Sequence, residues 1–170
     1  MTTFDPMFDE LFGKCERSAV HLEMHDNGPH DDTFAAWQAG QRIDPAANWP
    51  LWLRLASATV ARGVTIRRAR IVSEPVSEYV RYEYDITDGL NIAAGEQVRW
   101  LARRHASDLA LPGNDFWLFD NQLVQFNHFS GNGDWIDVEQ TTTPATVEFC
   151  SSAFEAVWQR ATPHQQYRPA

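Results

Sequence analysis

Lysine is almost missing from this chain. Lys14 is the single one, and every other residue among its 14 Lys and Arg is arginine. Acids outnumber the bases, 23 to 14, which leaves a net charge of -9. Such a charge repels phosphate backbones, so direct nucleic-acid binding is not expected unless the basic residues segregate onto one face. Cysteine is scarce too: Cys15 and Cys150 sit in no CxxC and no Cys/His ligand spacing, and both read as reduced packing residues. Long apolar runs are absent. The stretch around Leu51 to Val60 is broken by Arg54, far short of the ~20 residues that span a bilayer. Met1 to Glu10 carries Asp5, Asp9 and Glu10 without a basic n-region, so no secretory signal is expected and the cytoplasm is the expected location. There is no GxSxG elbow and no phosphate-binding glycine loop, and Gly131-Asn132-Gly133 suits a hairpin turn better. These absences count against a serine hydrolase of that type and against a nucleotide-cofactor enzyme, and no cofactor is expected.

What is present is enough to pack. The apolar fraction is 44%, with seven Trp and ten Phe, and 170 residues suffice for a single domain over 1–170. Asp5-Pro6 predicts a cap and first turn for a short helix ending near Gly13. Ser18 to Met24 predicts a half-buried strand, His25 to Asp32 a loop, and Asp32 the cap of a brief helix through Phe34 and Trp37 to Gly40. Asn48 and Pro50 start a stronger helix that Gly63 ends in the left-handed conformation. Val64 to Val72 predicts a central strand, and Glu74-Pro75 the opening of a helix with Val76, Tyr79, Val80, Glu83 and Ile86 on one side. Ser77, Glu78, Arg81, Tyr82 and Asp85 then point outward, with Arg81 and Asp85 at pairing distance. Glu96 to Arg103 predicts a strand. Asp115 to Asp120 and Leu123 to Phe129 predict a hairpin joined at Asn121-Gln122, followed by a run Trp135 to Glu139. Thr143 then caps a final helix from Pro144 to about Arg160, with Phe154 and Trp158 on the sheet. The order predicts an α/β fold, a mixed β-sheet flanked by helices.

At residues 67–84, 111–129 and 153–169 the sequence resembles a family of uncharacterised actinobacterial proteins. That resemblance covers nearly the whole chain and implies a setting beside helix-turn-helix regulators, without an activity. Ala61-Arg62-Gly63-Val64-Thr65-Ile66-Arg67 also resembles the helix-to-strand entry of a phospholipase D-like half-domain. Matching that family's HxKxxxxD by its aspartate places Asp120 there, but Gly113 stands at the His and Asp115 at the Lys. Phosphoryl transfer through a covalent intermediate needs an imidazole to attack and a cation on the phosphate oxygens, so the resemblance implies a catalytically dead version. Asn127 and His128 fall where that family has a Gly-Ser pair lining its pocket.

Two candidate sites follow. The first is a cleft near Asp115, Trp117, Asp120, Asn127 and His128. The second is a partner surface at the strand-to-helix junction, formed by Arg68, Arg70, Glu74, Tyr79, Arg81 and Tyr82, where Arg forks beside aromatic rings suit carboxylate or phosphate groups. A salt-linked structural corner is the plainer reading of that junction. His21, His25 and His30 near Asp26, Asp31 and Asp32 have poor metal-ligand spacing, and no metal is expected. The leading expectation is a non-catalytic regulatory or interaction module with a protein partner, compatible with homo-oligomers and without membrane or direct nucleic-acid binding. The alternative is an enzyme using His128 as base with Asp115 or Asp120 to orient it.

Overall fold

The computed structural model describes residues 6–170, so the cap expected at Asp5 lies outside the described residues. Helix α1 (Pro6–Lys14) leads into β1 (Ser18–Glu23). Helix α2 (Asp32–Gln38), a short turn α3 (Pro45–Asn48) and α4 (Pro50–Ala61) then carry the chain to β2 (Thr65–Val72). Helix α5 (Glu78–Thr87), extended by a π-helical turn over Asp88–Ile92, crosses to β3 (Gln97–Ala102). A 3-10 turn (Arg103–Ala106) precedes β4 (Asp115–Phe119), β5 (Leu123–Phe129) and β6 (Trp135–Thr141), and α6 (Pro144–Arg160) ends at the two-residue β7 (Thr162–Pro163).

The described residues form one seven-stranded sheet in the order β6-β5-β4-β1-β2-β3-β7. β1, β2 and β3 are parallel, which requires helical crossovers between them, and the remaining pairings are antiparallel. The mixed, helix-flanked α/β sheet is the one the element order predicts. Side chains alternate between its two faces. On one face Val20, Leu22, Ala69, Ile71, Phe116 and Leu118 pack against Val147, Phe154, Val157 and Trp158 of α6. On the other, Ala19, Ile66, Trp117 and Phe119 meet Phe12 of α1 and Ala56 of α4, while Val72, Val98 and Trp100 meet Val80 of α5.

Several boundaries differ from expectation, each for a local reason. Asp31, not Asp32, caps α2: its carboxylate accepts the Phe34 N–H at 2.9 Å. Glu74-Pro75 does not open α5: the chain bends there, and Ser77 takes the cap, its hydroxyl accepting the Val80 N–H at 3.1 Å. Tyr82 faces inward, against Phe34 of α2, and Asp85 takes the Trp37 indole N–H at 2.9 Å instead of pairing with Arg81. The hairpin turns on Asp120 and Asn121, both with positive φ, so β4 stops at Phe119. β6 runs on to Thr141, and Thr143 sits at the start of α6 without a side-chain cap bond. Gly63 has φ +93, as the helix end requires.

Candidate functional site

In α/β sheets, ligands gather at the carboxyl ends of the parallel strands. Here those ends are tied to one another. Asp26, just past β1, accepts the Ser73 N–H at 2.7 Å and the Ser73 hydroxyl at 2.6 Å, and Arg103, just past β3, reaches both Ser73 and Asp26. The Arg103 guanidinium also donates to the carbonyls of Met24 and Ile71. The loop beyond Asp26 folds down tightly: an added Cβ at Gly28 would fall 2.0 Å from the Tyr79 ring, and one at Gly133 would meet Asn27 backbone at 3.2 Å.

Beneath this closure lies a buried ionic cluster that strand register assembles. His21 pairs with Arg68 and Glu23 with Arg70 across β1 and β2, all on the face opposite α6. Arg70 Nε donates to Glu23 at 2.5 Å, and Arg68 NH1 donates to the other Glu23 oxygen at 2.8 Å. Arg68 Nε holds Glu96 at 2.9 Å, while Glu96 also accepts from the Trp52 indole and the Asn91 amide. The Arg68 guanidinium lies over Trp117 and Trp52, and that of Arg70 over Trp100 at 4.8 Å. Side-chain exposure is 8% for Arg68, 5% for Arg70 and 0% for Glu96. Burial works against the charge on the two arginines, and the carboxylates beside them outweigh it, raising both above the ordinary guanidinium value. Burial pushes the Glu23 carboxyl up, but Arg70 and Arg68 beside it hold it well below the ordinary carboxylate range. His21 is driven well below the ordinary imidazole value, first by burial, and stacks on Trp117 at 4.2 Å with its Nδ1 facing Arg68. Glu83 goes the other way: burial raises it.

His25 closes the cluster at its outer end. Its Nδ1 bonds Asp115, whose second oxygen accepts the Met24 N–H at 2.8 Å, and its ring lies 4.5 Å from that of Phe129. Burial pulls the imidazole down, but the bond to Asp115 and the charges of Asp115, Glu23 and Glu83 raise it to about 9. His25 is therefore an imidazolium at neutral pH.

The expected cleft is divided by strand parity. Asp115, Trp117 and Asn127 share the cluster face, Asp115 standing opposite Asn127 in the β4–β5 ladder. His128 projects from the opposite face, where its Nε2 lies 3.4 Å from Glu139. Asp120 is at the far end of β4, accepting the N–H groups of Glu16, Arg17 and Ser18 at 2.9, 2.7 and 3.0 Å. So the structure does not bring His128 together with Asp115 or Asp120. The expected partner surface divides as well. Arg68 and Arg70 do share a face, but it is buried, and so is Tyr82; Tyr79 is half-buried with its phenol raised well above the ordinary value, by burial first. Glu74, which accepts the Tyr167 hydroxyl at 2.7 Å, and Arg81 are exposed. Of the three histidines read as poorly spaced for a metal, His21 and His25 belong to the ionic cluster, while His30 rests on Phe34. Sequence reasoning missed His21, Glu23, His25, Glu83 and Glu96 as a unit. The signal was available in His21-x-Glu23-x-His25 facing Arg68-x-Arg70, charges at every second position of otherwise apolar strands.

Neither of two surface hollows, one lined by Arg104, His105 and Arg160, the other by Gln122, Pro144 and Ser151, includes an ionisable residue of the cluster. Among the described residues, no helix is long and apolar enough to cross a membrane.

This is an α/β architecture with parallel strands at its centre, a carboxyl end sealed by ion pairs, and Gly113 in the turn before β4. The fold is similar to that of a phospholipase D family member, Nuc from Salmonella typhimurium. The TM-score is 0.53 at 11% identity, over 96% of this chain and 90% of that one. The chain belongs to the family described as Domain of unknown function (DUF6879), whose model matches residues 6–169. No curated protein matches it.

Proposed function

We propose that this protein is a non-catalytic interaction module built on a phospholipase D-like fold, with a protein as its partner. One observation carries the reading: ion pairs and hydrogen bonds within the chain engage the charged groups under the carboxyl ends of the strands. Arg68 and Arg70 are committed to Glu23 and Glu96, Asp115 to His25, and Arg103 to Asp26. A phosphoryl-transfer site needs a free imidazole and a free cation, and Gly113 and Asp115 supply neither. The net charge of -9 favours a basic partner surface over a polyanion. A helix-turn-helix regulator, basic where it meets DNA, is the partner class that the resemblance implies, and accessory function to such a regulator is the setting proposed.

Reconstitution from purified components tests this reading. The chain and a helix-turn-helix regulator encoded beside it are expected to form a complex that gel filtration resolves, while the chain alone leaves duplex DNA unshifted at physiological salt. Tight DNA binding by the chain alone, with no complex formed, would overturn the partner class.

A second reading, acid catalysis at His25, is favoured by its geometry: a carboxylate on Nδ1 and a ring 21% exposed. Its test is turnover of a phosphodiester that disappears in His25→Gln.

A further inference from the structure

We propose that the open edge of β6 is a docking site for an extended, basic segment of a protein partner, which adds to the sheet as one more strand. The inference rests on the reading of the chain as a binding module. Among the described residues, β6 is the last strand of the sheet and pairs only with β5, whereas the opposite edge is the two-residue β7. An edge strand presents a row of unpaired backbone N–H and C=O groups that can template another chain. At the start of β6, Phe129 pairs with Trp135 and His128 with Asp137, so Ile136 is the extra residue of a bulge. Trp135 is 51% exposed and Ile136 57%, large apolar side chains at the mouth of a strand edge. Beyond them Asp137 and Glu139 project from one face, with Val138 and Gln140 on the other.

The same charges decide the occupant. A second copy paired antiparallel about a two-fold axis must match residues of equal parity. Any such register that overlaps most of β6 sets Asp137 or Glu139 opposite an acid of the other copy, and like charges directly opposite are destabilising. An incoming strand with Lys or Arg at every second position reverses that sign, and its intervening apolar residues lie beside Val138 and Trp135. This is strand addition, in which main-chain bonds give affinity and alternate side chains give specificity.

The probe is a synthetic peptide of seven residues alternating Lys and Val, matched in length to the seven-residue strand, with a Glu/Val peptide as control. Amide exchange of the full chain is expected to slow over residues 135–141 on adding the Lys/Val peptide and to stay unchanged with the control. The double substitution Asp137→Lys, Glu139→Lys is expected to weaken binding about tenfold or more. The milder Asp137→Asn, Glu139→Gln pair gives an intermediate loss, with circular dichroism unchanged for both. Protection elsewhere, equal affinity for a folded charge-reversed variant, no binding, or self-association through 135–141 overturns the edge assignment. Those results leave the non-catalytic reading intact, because that reading fails on phosphodiester turnover instead.

Discussion

At Glu23 two guanidinium groups converge on one buried carboxylate, and the consequences are specific to that residue. Removing one member of a buried ionic set leaves the others unpaired in a low-dielectric site, at a typical cost of 3–5 kcal/mol. Glu23→Ala is therefore expected to lose roughly that much stability in urea denaturation; a loss under ~1 kcal/mol would show the arginines re-pairing or reaching water. Arg68→Ala and Arg70→Ala belong to the same class, so they report on folding and not on a partner surface. His25 gives a pH signature. Its folded-state value, about 9, lies above the ordinary 6.5, so its stabilisation is complete below pH 6.5 and is lost as the pH rises through 9. The shift corresponds to something on the order of 3 kcal/mol. His25→Gln should flatten the stability profile between pH 6.5 and 9, and an unchanged profile would assign the slope to another group. Glu23, held low, contributes stability that is present above its ordinary value of 4.5 and disappears as the pH falls below it. At Asp120, Ala substitution leaves the Glu16, Arg17 and Ser18 N–H groups short of an acceptor and is expected to cost on the order of 2 kcal/mol by thermal denaturation. Asp120 is thus a connector between β1 and the hairpin.

Among the elements, those written in local patterns were legible. β2, entered through Gly63, and α6, with Phe154 and Trp158 on the sheet, stand where periodicity puts them, because each is specified by its own residues. Even the shared parity of Arg68 and Arg70 was legible. Their burial was not, since it depends on Glu23, Glu83 and Glu96, which lie 47, 13 and 28 residues away along the chain for the pairs they form. The candidate cleft failed at His128 for a similar reason: adjacent strand residues face opposite ways, so Asn127 and His128 cannot both line one pocket. The loop after β1 also needed its tertiary partner to be understood. Gly28→Ala sets a methyl into the Tyr79 ring and is expected to cost ~1–3 kcal/mol, with faster amide exchange over residues 25–31. Full stability in that variant would mean the loop has room to lift.

Across the whole molecule, a sheet similar to that of a phospholipase D family member carries a sealed ionic core at the carboxyl ends of its parallel strands. Among the described residues the edge of β6 is unpaired, with Trp135 and Ile136 exposed. The likeness concerns the fold, and the chemistry has to be judged from the residues present. Gly113 brings no nucleophile, Asp115 brings a carboxylate already bound to His25, and the arginines nearby face carboxylates of the same chain. The central proposal is that this arrangement holds structure and does not turn over substrate. The most direct measurement is steady-state hydrolysis of a chromogenic phosphodiester by the purified full chain across pH 5–9, with His25→Gln and Asp115→Asn in parallel. The account predicts no turnover above the protein-free blank for any of the three. Turnover by the unaltered chain that both substitutions abolish, while circular dichroism shows them folded, would contradict it.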